Sequence, residues 1–233
     1  MKVFAHRGIS ALHPENSQSA VKACKGESFY GIEVDLFQVG ANFFLMHDPW
    51  LSRVFGINKK VTSTTEHELN QLICPDAKPI PDLEWLISEL SDQSLMLNIE
   101  IKEIKDIDLF IDRLATLLEE YSFAAQNLLI SSFNHIYLKH ISERKPDWQL
   151  GLLLAHHPLD IQPYLELMPI HSIHLSIEVI SAELIRAAKQ QKLQVFVYTV
   201  DQVIDIEFLY ENNVDGIFAN HPAQAYKIIN NLI

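Results

Sequence analysis

Cysteine is almost absent from this chain of 233 residues, which contains only Cys24 and Cys74. Two cysteines are too few for the disulfide framework of a small secreted scaffold, and both are read as reduced thiols. Positive charge is also scarce: 18 Lys and Arg stand against 30 Asp and Glu, a formal net charge of −12. This balance disfavours nucleic acid or an anionic membrane as the main partner, because both are bound through Lys and Arg. No uninterrupted apolar run approaches the ~18 residues of a membrane span. No secretory leader is expected, since Met1-Lys2 is followed at once by Val3-Phe4-Ala5-His6-Arg7-Gly8 with no apolar stretch. A G-x-G-x-x-G turn is missing, so a dinucleotide-binding sheet is unsupported. The expectation is a cytoplasmic protein without stable membrane insertion. The sequence assigns no oligomeric state.

What is present is a globular composition, 48% hydrophobic and 21% charged, arranged as short apolar runs between longer segments of helical period. Strands are expected at Lys2–His6, Tyr30–Phe37, Leu95–Ile101, Asn127–Ser131, Gln149–Leu154, Ser172–Leu175, Gln194–Thr199 and Gly216–Ala219. Helices are expected at Ser17–Cys24, Asp82–Leu90, Ile107–Tyr121, His135–Glu143, Leu159–Leu167, Ser181–Gln191, Val203–Glu211 and Ala223–Asn230. Eight such units predict an α/β fold, a (β/α)8 TIM barrel; an open doubly wound sheet is the structural alternative. The stretch Gln38–Pro81 is too long for an ordinary βα loop and reads as a small insertion after the second strand. Within it, Asn42–Met46 suits a hairpin arm and Thr65–Ile73 a short helix capped by Thr64. No linker or low-complexity run divides the chain, so residues 1–233 are read as one domain.

The second strand reads Gly31-Ile32-Glu33-Val34-Asp35-Leu36-Phe37. Side chains alternate faces, so Ile32, Val34 and Leu36 share one side while Glu33 and Asp35 share the other. In a parallel barrel the outer side must be apolar, which sends both carboxylates inward. Alone, this pattern also fits an amphipathic strand with a wet polar face. The third strand, Leu97-Asn98-Ile99-Glu100-Ile101-Lys102, repeats it and weakens that simpler reading, because barrel sites lie at the C-terminal strand ends. Glu33, Asp35 and Glu100 make a hard oxygen cluster suited to Mg²⁺ or Ca²⁺. His6 ends the first strand and His47 follows the hairpin arm; imidazoles there can exchange protons near neutral pH. Asp48 is read as a turn cap rather than as a partner of His47. Arg7 offers a fork of donors matched to phosphate, and Lys102 suits a carboxylate or a phosphate.

Taken in order, Ala5-His6-Arg7-Gly8, Pro14-Glu15-Asn16-Ser17, Ile32-Glu33-Val34-Asp35, Met46-His47-Asp48 and Asn98-Ile99-Glu100-Ile101-Lys102 resemble the glycerophosphodiester phosphodiesterase family of the phospholipase-C-like phosphodiesterase superfamily. Weaker marks continue to Val214-Asp215-Gly216-Ile217, so the resemblance spans nearly the whole chain. It implies a TIM barrel with a small insertion. It also implies metal-dependent hydrolysis of small glycerophosphodiesters, such as glycerophosphocholine or glycerophosphoethanolamine, to glycerol 3-phosphate and an alcohol. It assigns His6 and His47 as the acid/base pair, Glu33, Asp35 and Glu100 as ligands of one divalent cation, and Arg7 and Lys102 as phosphate contacts. Asn16 becomes a further ligand or orienter, and Tyr198 a candidate substrate contact where the family commonly has Trp. Asp201, where Asn is frequent, and Ala219-Asn220-His221-Pro222, where a T-D-x-P-like stretch is usual, are departures. Within the superfamily, lysophospholipase-D or phospholipase-C-like cleavage of a lipid phosphodiester is the alternative. Tyr30, Phe37, Phe133, Tyr198 and Phe218 are candidates for a wall around a choline group, with core packing the simpler role for most of them.

Overall fold

Strands buried on both faces need apolar residues outward and a filled interior, and the chain meets both demands. The computed structural model describes Met1–Leu232. Its strands are β1 (Lys2–His6), β2 (Gly31–Val39), β3 (Asn42–Leu45), β4 (Met96–Glu103), β5 (Leu128–Ser132), β6 (Gln149–Leu154), β7 (Ser172–Ser176), β8 (Gln194–Tyr198) and β9 (Gly216–Ala219). Their order is β1-β9-β8-β7-β6-β5-β4-β2-β3, and β1 also pairs with β2. That last pairing closes eight parallel strands into a barrel, with β3 the additional strand, antiparallel on β2. The helices are α1 (Gln18–Lys22), α2 (Ser52–Phe55), α3 (Glu66–Asn70), α4 (Leu83–Leu90), α5 (Ile107–Glu120), α6 (His135–Arg144), α7 (Gln162–Leu167), α8 (Ala182–Gln190), α9 (Val203–Glu211) and α10 (Pro222–Asn231). This is the TIM barrel with an insertion after its second strand; α2, α3 and β3 belong to the insertion. No helix among the described residues is long and apolar enough to cross a membrane.

Two expected details are corrected. The helix expected from Leu159 starts only at Gln162, with Pro163 in its first turn. A proline is tolerated there, but one turn into a helix begun at Leu159 it would remove a backbone hydrogen bond. The cap of α3 is Thr65, not Thr64. The Thr65 hydroxyl accepts from the Glu68 amide at 3.2 Å while the Glu68 carboxylate accepts from the Thr65 amide at 2.8 Å. This reciprocal pair satisfies two free amides at the helix start. The Thr64 hydroxyl instead turns back to the Val61 carbonyl.

Alternation along each strand builds two cores. Outward residues of β2 and β4, among them Val34, Leu36, Ile99 and Ile101, pack against helix residues such as Leu86, Phe110 and Leu114. Inward, Phe4, Leu129, Phe196 and Phe218 plug the barrel. Phe4 and Phe196 meet edge to face with ring centroids 5.3 Å apart, the arrangement the ring quadrupoles favour. A third cluster, including Phe37, Phe44, Leu51, Leu69 and Ile80, holds the insertion on the barrel. Cys24 and Cys74 are both free and buried, and burial pushes each thiol up to about 12.

His174 on β7 packs on the rings of Phe196 and Phe218 and is fully buried. Gly151 on the neighbouring β6 makes room for it: a Cβ there would sit 2.4 Å from the His174 Nε2. Nε2 pairs with the Ser172 hydroxyl at 2.9 Å, while Nδ1 has no partner among the described residues. Burial drives its pKa from 6.5 to about 3. The folded value lies below the unfolded one, so the contribution of this residue is present above about pH 6.5 and is lost as pH falls toward about 3. His174→Leu is therefore expected to flatten the fall of the urea midpoint below about pH 6.5. An acid slope identical to that of the parent protein would contradict this.

Candidate active site

Register assembles the polar cluster. His6 on β1 lies opposite Glu33 on β2, Glu33 opposite Asn98 on β4, and Asp35 opposite Glu100. Carboxylate oxygens of Glu33, Asp35 and Glu100 consequently all lie within 4.8 Å of one another. Glu33 and Asp35 are almost fully buried. Like charges this close in a water-poor site resist ionising together. Burial, then Asp35 and Glu100, push the Glu33 pKa well up; burial, then Asp35, push Glu100 to about 7.

Two cations offset part of this charge. Lys102 Nζ lies 2.7 Å from Glu100 and 3.5 Å from Asp35. Burial opposes the charge of Lys102, but the two carboxylates outweigh it and raise its pKa. Arg7 Nε lies 3.4 Å from Asp35. The turn after β1 brings it there: Arg7 and Gly8 both have left-handed backbones, with φ of 58° and 77°. A Cβ on Gly8 would fall 2.6 Å from the Ala20 backbone, so glycine is required by space as well as by φ. The turn also aims the Arg7 amide at Glu33 Oε2, 2.8 Å away. Asn16 grips Asp35 twice, donating from Nδ2 to its carboxylate at 2.8 Å and accepting its backbone amide at 3.0 Å. In this geometry Asn16 orients Asp35.

Two oxygens are left over, Asn98 Oδ1 and one of Glu33. Glu33 Oε1 is buried with no hydrogen-bond partner among the described residues. An orphaned carboxylate oxygen beside two other carboxylates fits a hard cation, and Glu33, Asp35 and Glu100 could hold one. A second acidic group, Glu15, His47 and Asp48, also comes together. Its charges are already met by Arg53, which donates to Asp48 and lies 2.6 Å from Glu15, and by Arg7, which donates to Glu15 at 3.0 Å.

His6 lines a small cavity with Glu33, Asn98, Glu100, Ser131 and Tyr198. Its Nδ1 lies 2.8 Å from Asn220 Oδ1. Burial, aided by Arg7 and opposed by the Asn220 hydrogen bond, lowers its pKa to about 4. His47 lies just beyond Met46, whose amide donates to the Asp35 carbonyl at 3.0 Å, and it lines a cavity with Glu15 and Asn16. The role expected of Asp48 is corrected: its carboxylate takes His47 Nδ1 at 2.7 Å and orients the ring. The Arg53 hydrogen bond chiefly holds Asp48 down to about 2, so it stays ionised. Both histidines are thus tied through Nδ1, one to a neutral amide and one to a carboxylate.

Tyr198 stands at the mouth, its hydroxyl donating to the Leu154 carbonyl at 3.0 Å, with the half-exposed Phe133 ring 6.0 Å away. Of the five aromatics considered for a choline wall, only these two are at the mouth. Tyr30 lines a cavity with Met1 and Lys2 at the opposite end, Phe37 is a core residue, and Phe218, part of the inner plug, also lines the His6 cavity. Sequence reasoning gave no role to Glu15, Arg53, Asp201 or Asn220. Glu15 was visible beside Asn16 in a matched motif. Arg53 carries no local signal, and the other two meet only once β8 and β9 are neighbours.

A family model described as the glycerophosphoryl diester phosphodiesterase family matches residues 6–224. A protein named glycerophosphodiester phosphodiesterase from Caldanaerobacter subterraneus subsp. tengcongensis is 28% identical, over 97% of this chain and 97% of that one. A solved structure of an Oleispira antarctica phosphodiesterase, in complex with the product sn-glycerol-3-phosphate, is similar with a TM-score of 0.88. It is 24% identical and covers 99% of this chain and 97% of that one, a likeness of fold. A Thermotoga maritima glycerophosphodiester phosphodiesterase is similar with a TM-score of 0.75 at 25% identity, over 97% of each chain.

The raised carboxyl pKa values set a sign. A folded carboxyl that holds its proton longer than the unfolded one destabilises the fold as pH rises between the two values. For Glu100 that window runs from about 4.5 to about 7. In chelator, Glu100→Gln is expected to gain thermal midpoint over the parent protein as pH rises through this window. Added Mg²⁺ or Ca²⁺ is expected to raise the parent's midpoint and to move the variant much less. An equal ion-induced shift in both proteins would contradict the assignment.

Proposed function

This chain belongs to the glycerophosphoryl diester phosphodiesterase family, and from that premise we propose that it hydrolyses glycerophosphodiesters such as glycerophosphocholine and glycerophosphoethanolamine. The products are glycerol 3-phosphate and an alcohol. The observation that carries this reading is the three-carboxylate cup, flanked by two cations and by two imidazoles whose Nε2 atoms have no hydrogen-bond partner among the described residues.

A bound Mg²⁺ or Ca²⁺, held by Glu33, Asp35 and Glu100, would lower the pKa of the attacking oxygen and neutralise charge on the phosphate. Arg7 and Lys102 supply the remaining positive charge for its non-bridging oxygens. The different partners of the histidines divide the proton work. His6, backed by a neutral amide and buried, takes the proton of the nucleophile on Nε2. His47, oriented by the ionised Asp48, gives a proton to the departing alcohol oxygen. The first nucleophile is the glycerol 2-hydroxyl: its oxygen bonds to phosphorus as the P–O bond to the alcohol breaks. Water then opens the cyclic phosphate with the two histidine roles reversed. About three negative charges, one divalent ion and two cations leave about +1, which suits a monoanionic diester despite the acidic chain.

One observation favours the lipid alternative as a second reading. Exposed apolar side chains collect on segments that follow the C-terminal strand ends, including Leu12, Trp50, Phe133, Leu159 and Ile204. An apolar rim of this kind suits an acyl chain. Comparing soluble glycerophosphocholine with micellar lysolipid separates the two readings.

A coupled glycerol 3-phosphate assay should show turnover that chelator abolishes. His6→Ala and His47→Ala should each lose about 10²-fold or more in kcat. Full activity in both variants would sink the site assignment. A 2-deoxyglycerol diester should react poorly, and its normal turnover would rule out the cyclic route.

A further inference from the structure

The brace on His6 continues one residue beyond Asn220. Asp201 follows β8 and Asn220 follows β9, neighbouring strands of the barrel, so their side chains meet. Asp201 Oδ2 accepts from Asn220 Nδ2 at 2.7 Å. Asp201 Oδ1 accepts from the backbone amides of Asn220 at 2.8 Å and His221 at 3.2 Å. On its other side, Asn220 Oδ1 accepts from the Ser10 hydroxyl at 2.9 Å and faces His6 Nδ1 at 2.8 Å.

An ionised carboxylate only accepts hydrogen bonds, whereas a side-chain amide has one accepting and one donating end. Asp201 therefore selects the donating end of Asn220 for itself. Turning the amide over would set its carbonyl oxygen against the carboxylate with no hydrogen between them. With the amide fixed, its oxygen faces the imidazole, and a ring nitrogen facing a carbonyl must carry the hydrogen. The Ser10 hydroxyl rotates to suit and imposes no choice of its own. Orientation thus passes from a carboxylate, through an amide, to the ring.

We propose that Asp201 and Asn220 are positioning residues that hold His6 as its Nδ1–H tautomer, keeping Nε2 bare to receive the proton of the nucleophile. The consequence for turnover rests on the reading of His6 as proton acceptor; the tautomer itself does not. A ring in the other tautomer would present a hydrogen where a lone pair is needed, and wrong-tautomer enzymes lose up to about 10⁴-fold in kcat. The backbone bonds of Asp201 also fix the start of the segment carrying Asn220, so geometry and tautomer are set together.

The test is the nitrogen-15 spectrum of the imidazoles at neutral pH with Mg²⁺ present, with His6 assigned by its loss in His6→Asn. The expected spectrum has the hydrogen on Nδ1; a hydrogen on Nε2 overturns the proposal whatever the enzyme turns over. In Asp201→Asn the amide loses its fixed sense, and part of the population should move to Nε2–H. Turnover should then fall about 10- to 100-fold in kcat with KM changed less than about twofold. Asp201→Asn combined with Asn220→Asp restores an acceptor-only group beside Nδ1, and should return both the Nδ1–H signature and most of kcat. That variant and the parent spectrum decide the matter even if Asp201→Asn alone does not fold. An unchanged ring signature and kcat in Asp201→Asn overturns the proposal. A confirmed tautomer with His6→Ala fully active leaves the positioning intact and removes the functional reading instead.

Discussion

Three carboxyl groups share the mouth of a barrel whose walls keep water out, and much of the surrounding structure answers that constraint. Unpaired carboxylates in such a site are costly, so they must find protons, cations or donors. Glu33 and Glu100 are pushed up in pKa, Lys102 and Arg7 lean on Asp35, and Asn16 locks it from both sides. The left-handed Arg7-Gly8 turn follows from the same need, because it delivers the Arg7 amide to Glu33 and the guanidinium to Asp35. An ion held by such a site would relieve the repulsion that the clustered carboxylates impose on the fold.

The two histidines of the site are held in parallel ways. Both imidazoles are tied through Nδ1, but their partners differ in charge. On the proposed reading, the ring against a neutral amide, His6, takes a proton, and the ring against an ionised aspartate, His47, gives one. Arg53 links the two halves of the mouth, since it binds Asp48 in the insertion and Glu15 in the loop after β1. The insertion is thereby part of the site and not an ornament on the barrel.

The legible parts of the sequence are those governed by short periods. Ile32-Glu33-Val34-Asp35 gives the facing of both carboxylates because strand side chains alternate, and adjacent parallel strands place Glu100 opposite Asp35. Helix ends were less legible. Thr64 and Thr65 are equally good caps by type, and the choice turned on which one has Glu68 three residues ahead. Pro163 marked the start of α7 more surely than the apolar pattern did. Long-range partners were the least legible. Asp201 and Asn220 stood out only as departures from a family pattern, and their pairing depends on strand order. Arg53 reaches Glu15 across the insertion with no spacing to announce it.

Proton counting on ion binding tests most directly whether the carboxylate cup exists for a cation. Calorimetric titration of the metal-free protein with Mg²⁺ or Ca²⁺ near pH 6.5, in two buffers of different ionisation enthalpy, measures it. Burial and the neighbouring Asp35 push Glu100 to about 7, and Glu33 is also raised. Binding is therefore predicted to release protons, to tighten as pH rises, and to weaken strongly in Glu33→Gln. Binding with no proton release, or with equal affinity in Glu33→Gln, would contradict the account.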